Sequence, residues 1–81
     1  MKVVIKDGKV NGKSIIRVWE SFTGWYWFGL EEVEPGYWCG LVIGIHPEFG
    51  YFSERELIWH KKWIWPVKQS DIPFIDMVVE T

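Results

Sequence analysis

A chain of 81 residues has room for a single domain, expected to span residues 1–81. Seven Trp, five Phe and three Tyr, with no Ala, are more ring surface than so small a core easily encloses, since Trp is seldom fully buried. The net charge of −2 divides into +4 over residues 1–18, −6 over 19–56 and balance over 57–81, so the whole chain is a poor nucleic-acid binder while a local basic face stays open.

Cys39 is the only cysteine, which excludes an internal disulfide and any paired-thiol metal motif. The start lacks the basic and then apolar regions of a signal peptide. Apolar runs such as Leu41 to Ile45 fall far short of the ~20 residues a bilayer span needs. The expected location is therefore cytoplasmic, with no membrane partner. One Asn and one Gln beside abundant Lys, Glu, Ile and Val suggest a thermophilic source.

In chain order, Lys2 to Ile5 reads as a strand. Asp7-Gly8 and Asn11-Gly12 suit positive φ, so residues 6–13 read as one hairpin connection. Ser14 to Glu20 reads as the second strand. A bend at Thr23-Gly24 leads into a third, Trp25 to Val33, rich in aromatic and branched residues. Glu34-Pro35-Gly36-Tyr37 has Pro and Gly where a type II turn needs them, which predicts a hairpin over residues 25–45.

The strand Tyr37 to Ile45 has an apolar odd face, while its even face carries Gly40 and Gly44 on either side of Val42. Glycine weakens a strand unless something packs where a side chain would stand. An internal aromatic ring over Gly40 and Gly44 is the preferred occupant, ahead of a ligand. After His46-Pro47-Glu48 turns the chain, Phe49 to Phe52 reads as a strand. Ser53-Glu54-Arg55-Glu56 has the capping-box pattern and opens a helix from Glu54 to about Lys62. Trp63 to Val67 could instead begin a strand, because Pro66 would break a helix. Gln69 to Pro73 reads as a turn, and Phe74 to Val79 as a last strand that closes the sheet. The expected class is α+β, mostly β. It is a small twisted antiparallel meander or partly open barrel, with one short helix against it or across an open end.

Residues 24–57 carry Trp25-Tyr26-Trp27, Gly40-Leu41-Val42-Ile43-Gly44 and Glu48-Phe49-Gly50-Tyr51-Phe52-Ser53, followed by Glu56-Leu57. This stretch resembles an uncharacterised domain family of plasmid- and phage-associated proteins. That family's core reads Trp-x-Trp, then Phe-Gly-Leu-Val-x-Gly, then Glu-x-Gly-Tyr-Phe-Ser-x-x-Glu-Leu. Here Cys39 stands before Gly40, and the tail after Leu57 lies outside the resemblance. The resemblance implies a mobile-element context and no activity, so it assigns no functional residues.

No catalytic constellation emerges. Cys39 and His46 are seven residues apart, which puts them on opposite faces of one strand. A structural Cys39 is the better reading. His46, Glu48 and His60 have metal-binding atoms but match no ligand spacing. Glu31, Glu32 and Glu34 flank a hairpin tip, where charge usually marks a solvated edge. The expectation is therefore no enzyme, no metal, no cofactor and no small-molecule ligand.

The segment from Trp59 to Lys68 interleaves rings with cations. Its candidate binding residues are Trp59, Lys61, Lys62, Trp63, Trp65 and Lys68. Such a segment suits a protein hot spot or a single-stranded nucleic-acid groove. It is equally a set of core Trp with Lys lying over apolar surface. Among functional readings, a protein-interaction module with a protein partner or a homodimer ranks first. Single-stranded nucleic acid is the alternative.

Overall fold

Asp7-Gly8 and Asn11-Gly12 decide the shape of the first fourteen residues. All four lie in the left-handed region, with φ of 52°, 73°, 49° and 87°. Two consecutive positive φ values make a two-residue type I′ hairpin turn. In the computed structural model, which describes residues 2–59, 63–68 and 77–80, these turns separate β1 (Lys2–Lys6), β2 (Lys9–Val10) and β3 (Lys13–Ser14). The expected single connection over residues 6–13 is thus two turns with a short strand between them. Asn11 ties the second turn to β1. Its amide donates to the Val4 carbonyl and its side-chain oxygen accepts from the Val4 amide, both at 2.8 Å.

The expected strand over Ser14 to Glu20 is broken at Ile15 and Ile16. The Ile15 amide donates to Gly8 in the first sheet, and the Ile16 amide donates to Gly29 in a second. The chain therefore changes sheets between two successive amides. From there β4 (Arg17–Ser21), β5 (Tyr26–Glu34), β6 (Tyr37–Ile43) and β7 (Pro47–Ser53) form an antiparallel meander. The helix α1 (Glu54–Trp59) follows, and β8 (Ile64–Val67) adds beside β4. The resulting sheet has the order β7-β6-β5-β4-β8. The last strand, β9 (Met77–Glu80), pairs with β1 and extends the smaller sheet, whose order is β3-β2-β1-β9. It does not close a single sheet, because its register partners are Lys2 to Ile5. The fold is the expected mostly β, α+β class with one short helix, its sheets open and not joined into a barrel. The expected end of the helix at His60 to Lys62, the turn from Gln69 and the strand start at Phe74 lie outside the described residues.

Strand alternation gives the five-stranded sheet two apolar faces. On one face Val18, Tyr26, Phe28, Leu30 and Leu41 pack against Val3, Ile5 and Val10 of the small sheet. On the other, Trp19, Trp38 and Phe52 meet Leu57 of α1. The order is small sheet, large sheet, helix, with a core at each junction. The Pro35-Gly36 turn is present as expected, with Gly36 at φ 76°. Its carbonyl accepts from the Glu54 amide at 2.8 Å, which satisfies one of the unpaired donors at the helix start. Arg17 pairs with Glu54 at 2.5 Å, but its side chain is 58% exposed, so the pair adds little stability.

The expected strand to Ile45 ends at Ile43, and Gly29, Gly40 and, just past that end, Gly44 each have a structural reason. A Cβ on Gly44 would stand 2.6 Å from the Trp25 ring, and one on Gly29 would stand 2.6 Å from the Trp38 ring. The expected ring over Gly44 is therefore Trp25. At Gly40 the nearest atom is not a ring but the Phe28 carbonyl oxygen, with which a Cβ would collide. A backbone carbonyl cannot rotate aside as an exposed side chain can. Over Gly50 nothing lies within 4 Å. These differences predict a graded series of denaturation midpoints. Gly44→Val should cost about 1–3 kcal/mol as overpacking, Gly40→Ala more than that, and Gly50→Ala no more than about 0.5 kcal/mol. Equal midpoints for Gly40→Ala and Gly50→Ala would contradict this assignment.

Candidate functional site

The period of β8 separates the rings that the sequence places together. Ile64 lies opposite Ser21 and packs in the helix-side core, while Trp65 lies opposite Glu20 and so projects to the other face. There the Trp65 indole donates to Glu20 Oε1 at 3.0 Å. The Tyr26 hydroxyl donates to the second oxygen of the same carboxylate at 2.5 Å. Trp65 is tied into a three-residue network at the edge of the small-sheet core. Trp63 is anchored differently. Its carbonyl accepts from the Phe22 amide at 2.8 Å, and its ring lies 4.8 Å from the Phe22 ring at a tilt of 44°. Lys68 is exposed just past β8. Lys61 and Lys62 lie outside the described residues.

Trp59 ends α1 on the helix side of the sheet and is 83% exposed, with no ring contact or hydrogen bond among the described residues. It borders an open groove of about 500 Å³ that Trp27, Leu57 and Ile64 also line, with Arg55 and Glu56. Leu57 reaches the core, and the half-buried Trp27 and Ile64 pack against the same cluster. Among the described residues the groove therefore has an apolar floor, one free indole and one charge of each sign. Trp25 does not line the groove, but its ring lies 6.2 Å from that of Trp27. Neither Trp25 nor Trp27 was expected to serve binding. The available signal was Trp25-x-Trp27 on a strand, because residues two apart share a face.

The rejected catalytic groupings also have definite places. Glu31, Glu32 and Glu34 are exposed on β5, and Glu32 accepts from the Gly36 amide at 2.8 Å, bracing the hairpin turn. Cys39 is half-buried on β6 opposite Tyr51, and His46 is exposed in the bend before β7. Among the described residues no three His, Cys, Asp or Glu side chains gather as a metal site. No described helix is long and apolar enough to cross a membrane. No family model, curated protein or solved structure matches the chain.

Burial pushes the Tyr26 phenol up to about 12, with the hydrogen bond to Glu20 and that residue's negative charge adding to the effect. The ionised phenolate would be desolvated and would face a carboxylate. Because the folded value lies above the unfolded one, the stabilisation is complete below pH 10. It should fade as pH rises through about 12. Absorbance titration at 295 nm of the parent minus Tyr26→Phe should isolate a midpoint near 12. A midpoint near 10 would remove the Glu20 network as a buried, interacting unit.

Proposed function

We propose that this protein is a non-enzymatic protein-interaction module whose docking site is the groove beside α1, with Trp59 as its anchor. The observation that carries this reading is the 83% exposure of Trp59 at the lip of an apolar groove. Leaving a large ring in water forgoes the roughly 1.5–3 kcal/mol that burying a large apolar side chain brings. Trp is also the residue most enriched where a few contacts dominate binding energy. The groove asks for a partner segment with one or two apolar side chains for its floor. Polar groups beside them would meet Arg55 and Glu56 at the rim. The split between Trp59 and Trp65 weighs against a continuous stacking track for single-stranded nucleic acid, which strings successive rings along one channel.

Parallel affinity captures with the parent and Trp59→Ala as bait test the reading. A protein retained by the parent should be lost from the variant, its affinity falling about 30-fold or more. A mixed single-stranded oligonucleotide at two salt concentrations supplies the opposing arm. Tight, salt-sensitive binding, with a slope flattened by Lys61→Ala and Lys62→Ala, would replace the protein reading with the nucleic-acid one.

A further inference from the structure

Among the described residues the two sheets present four edge strands: β7 and β8 on one, β3 and β9 on the other. An open edge is a row of unpaired backbone donors and acceptors, and proteins usually blunt it by shortness, charge or proline. Three of the four carry such a device. Strand β8 has Pro66, which lacks a donor; β3 is two residues long and half Lys; β9 is four residues long and includes Glu80. Strand β7 is different. It runs seven residues, its only proline is the first, and its only charge is Glu48. Phe49 is 43% exposed and Tyr51 64% exposed.

We infer that β7 is a homodimer edge, pairing antiparallel with β7 of a second copy about a twofold axis at Gly50. Antiparallel pairing about that residue is self-complementary. Phe49 of one copy meets Tyr51 of the other, twice, and Gly50 faces its own counterpart. Within one chain Tyr51 lies opposite Cys39 and stacks on Tyr37, with rings 5.7 Å apart at 7°, while Phe49 lies opposite Leu41. Among the described residues the outer flanks of both rings have no strand neighbour, and the dimer gives each the cross-strand aromatic partner that stabilises antiparallel pairs. Glu48 comes opposite Phe52, so no like charges oppose. Pro47 falls at the end of the paired stretch, where a missing donor matters least.

Gly50 is the second observation. Its conformation does not require glycine, since its φ is not positive, and among the described residues no heavy atom fills the place of a side chain. Gly29, Gly40 and Gly44 each have a reason among the described residues, whereas Gly50 has none there and lies at the centre of the inferred pairing. Because the edge and the groove use different residues, this inference stands apart from the docking proposal.

Sedimentation equilibrium over a wide concentration range tests it first. The parent should form a dimer that dissociates on dilution. Tyr51→Lys and Phe49→Lys should each leave a monomer that still unfolds cooperatively with parent-like far-ultraviolet circular dichroism. Trp59→Ala should leave the dimer intact. In a Cys39→Ser background, Gly50→Cys should form an intermolecular disulfide readily. Self-opposed residues in an antiparallel pair have Cα atoms about 4.5–5.5 Å apart, within disulfide reach. Glu48→Cys should not, with its two copies roughly 14 Å apart along the strands. A parent that stays monomeric, a dimer that survives Tyr51→Lys, or equal cross-linking at residues 48 and 50 would each overturn the proposal. Loss of the dimer on Trp59→Ala alone would move self-association to the groove and leave that docking surface standing.

Discussion

Trp38 occupies the place that a side chain at residue 29 would take, and much of the helix-side architecture depends on that contact. Residue 29 must be glycine for the ring to lie there, and its register partner is a second glycine, Gly40, against which the Phe28 carbonyl is pressed. Immediately afterwards the β5–β6 register shifts, leaving Leu30 as an extra residue between the pairs at Gly29 and Glu31. A bulge of this kind increases local twist and re-aims side chains. Leu30 lies with Phe28 in the small-sheet core, as residues two apart on a strand do. Trp38 meets Trp19 edge-on, at 5.7 Å and 70°, and Phe52 and Leu57 complete the cluster. Such edge-to-face pairs suit the charge distribution of the rings. The packing carries a cost, because the buried Trp38 indole nitrogen has no acceptor among the described residues. An unpaired buried donor costs about 1–3 kcal/mol, which the dense aromatic contacts must outweigh.

The same cluster fixes what remains outside. Helix α1 has six described residues, and its first amide is held by the Gly36 carbonyl at the tip of the β5–β6 hairpin. Leu57 is its residue in the helix-side core. With the start pinned and Leu57 inward, Trp59 two residues later emerges on a different side, since successive helical residues turn by about 100°. The groove is the space between that short helix and the sheet. Its floor is the aromatic face of the sheet beside Leu57.

The groove and the β7 edge present different physical chemistry. The groove offers concave apolar surface, which favours an inserted side chain. The edge offers backbone hydrogen bonds in sequence register, which favour another strand. A small fold with more rings than its cores can enclose can carry both, because one uses a face of the sheet and the other its plane.

Several features follow from the sequence alone because their causes are local. Asn11-Gly12 and Asp7-Gly8 turn the chain by their tolerance of positive φ, and Pro35-Gly36 does so by a fixed φ followed by a free one. The helix start at Glu54 and the incompatibility of Pro66 with a helix are legible for the same reason. The ring over Gly44 is also legible as a requirement, although not as Trp25. Tertiary structure decided the rest. The break at Ile15 and Ile16 depends on which of two sheets supplies each acceptor, and no local signal distinguishes Gly8 from Gly29. The separation of Trp59 from Trp65 depends on β8 joining β4, a pairing across more than forty residues that turns Trp65 toward Glu20. Gly40 resembled Gly44 because the sequence reads both on one face of a strand running to Ile45, whereas β6 ends at Ile43. Only the approach of β5 made its neighbour a carbonyl and not a ring. Local stereochemistry sets where a chain turns, but which side of a sheet is covered depends on the partners that long-range pairing brings.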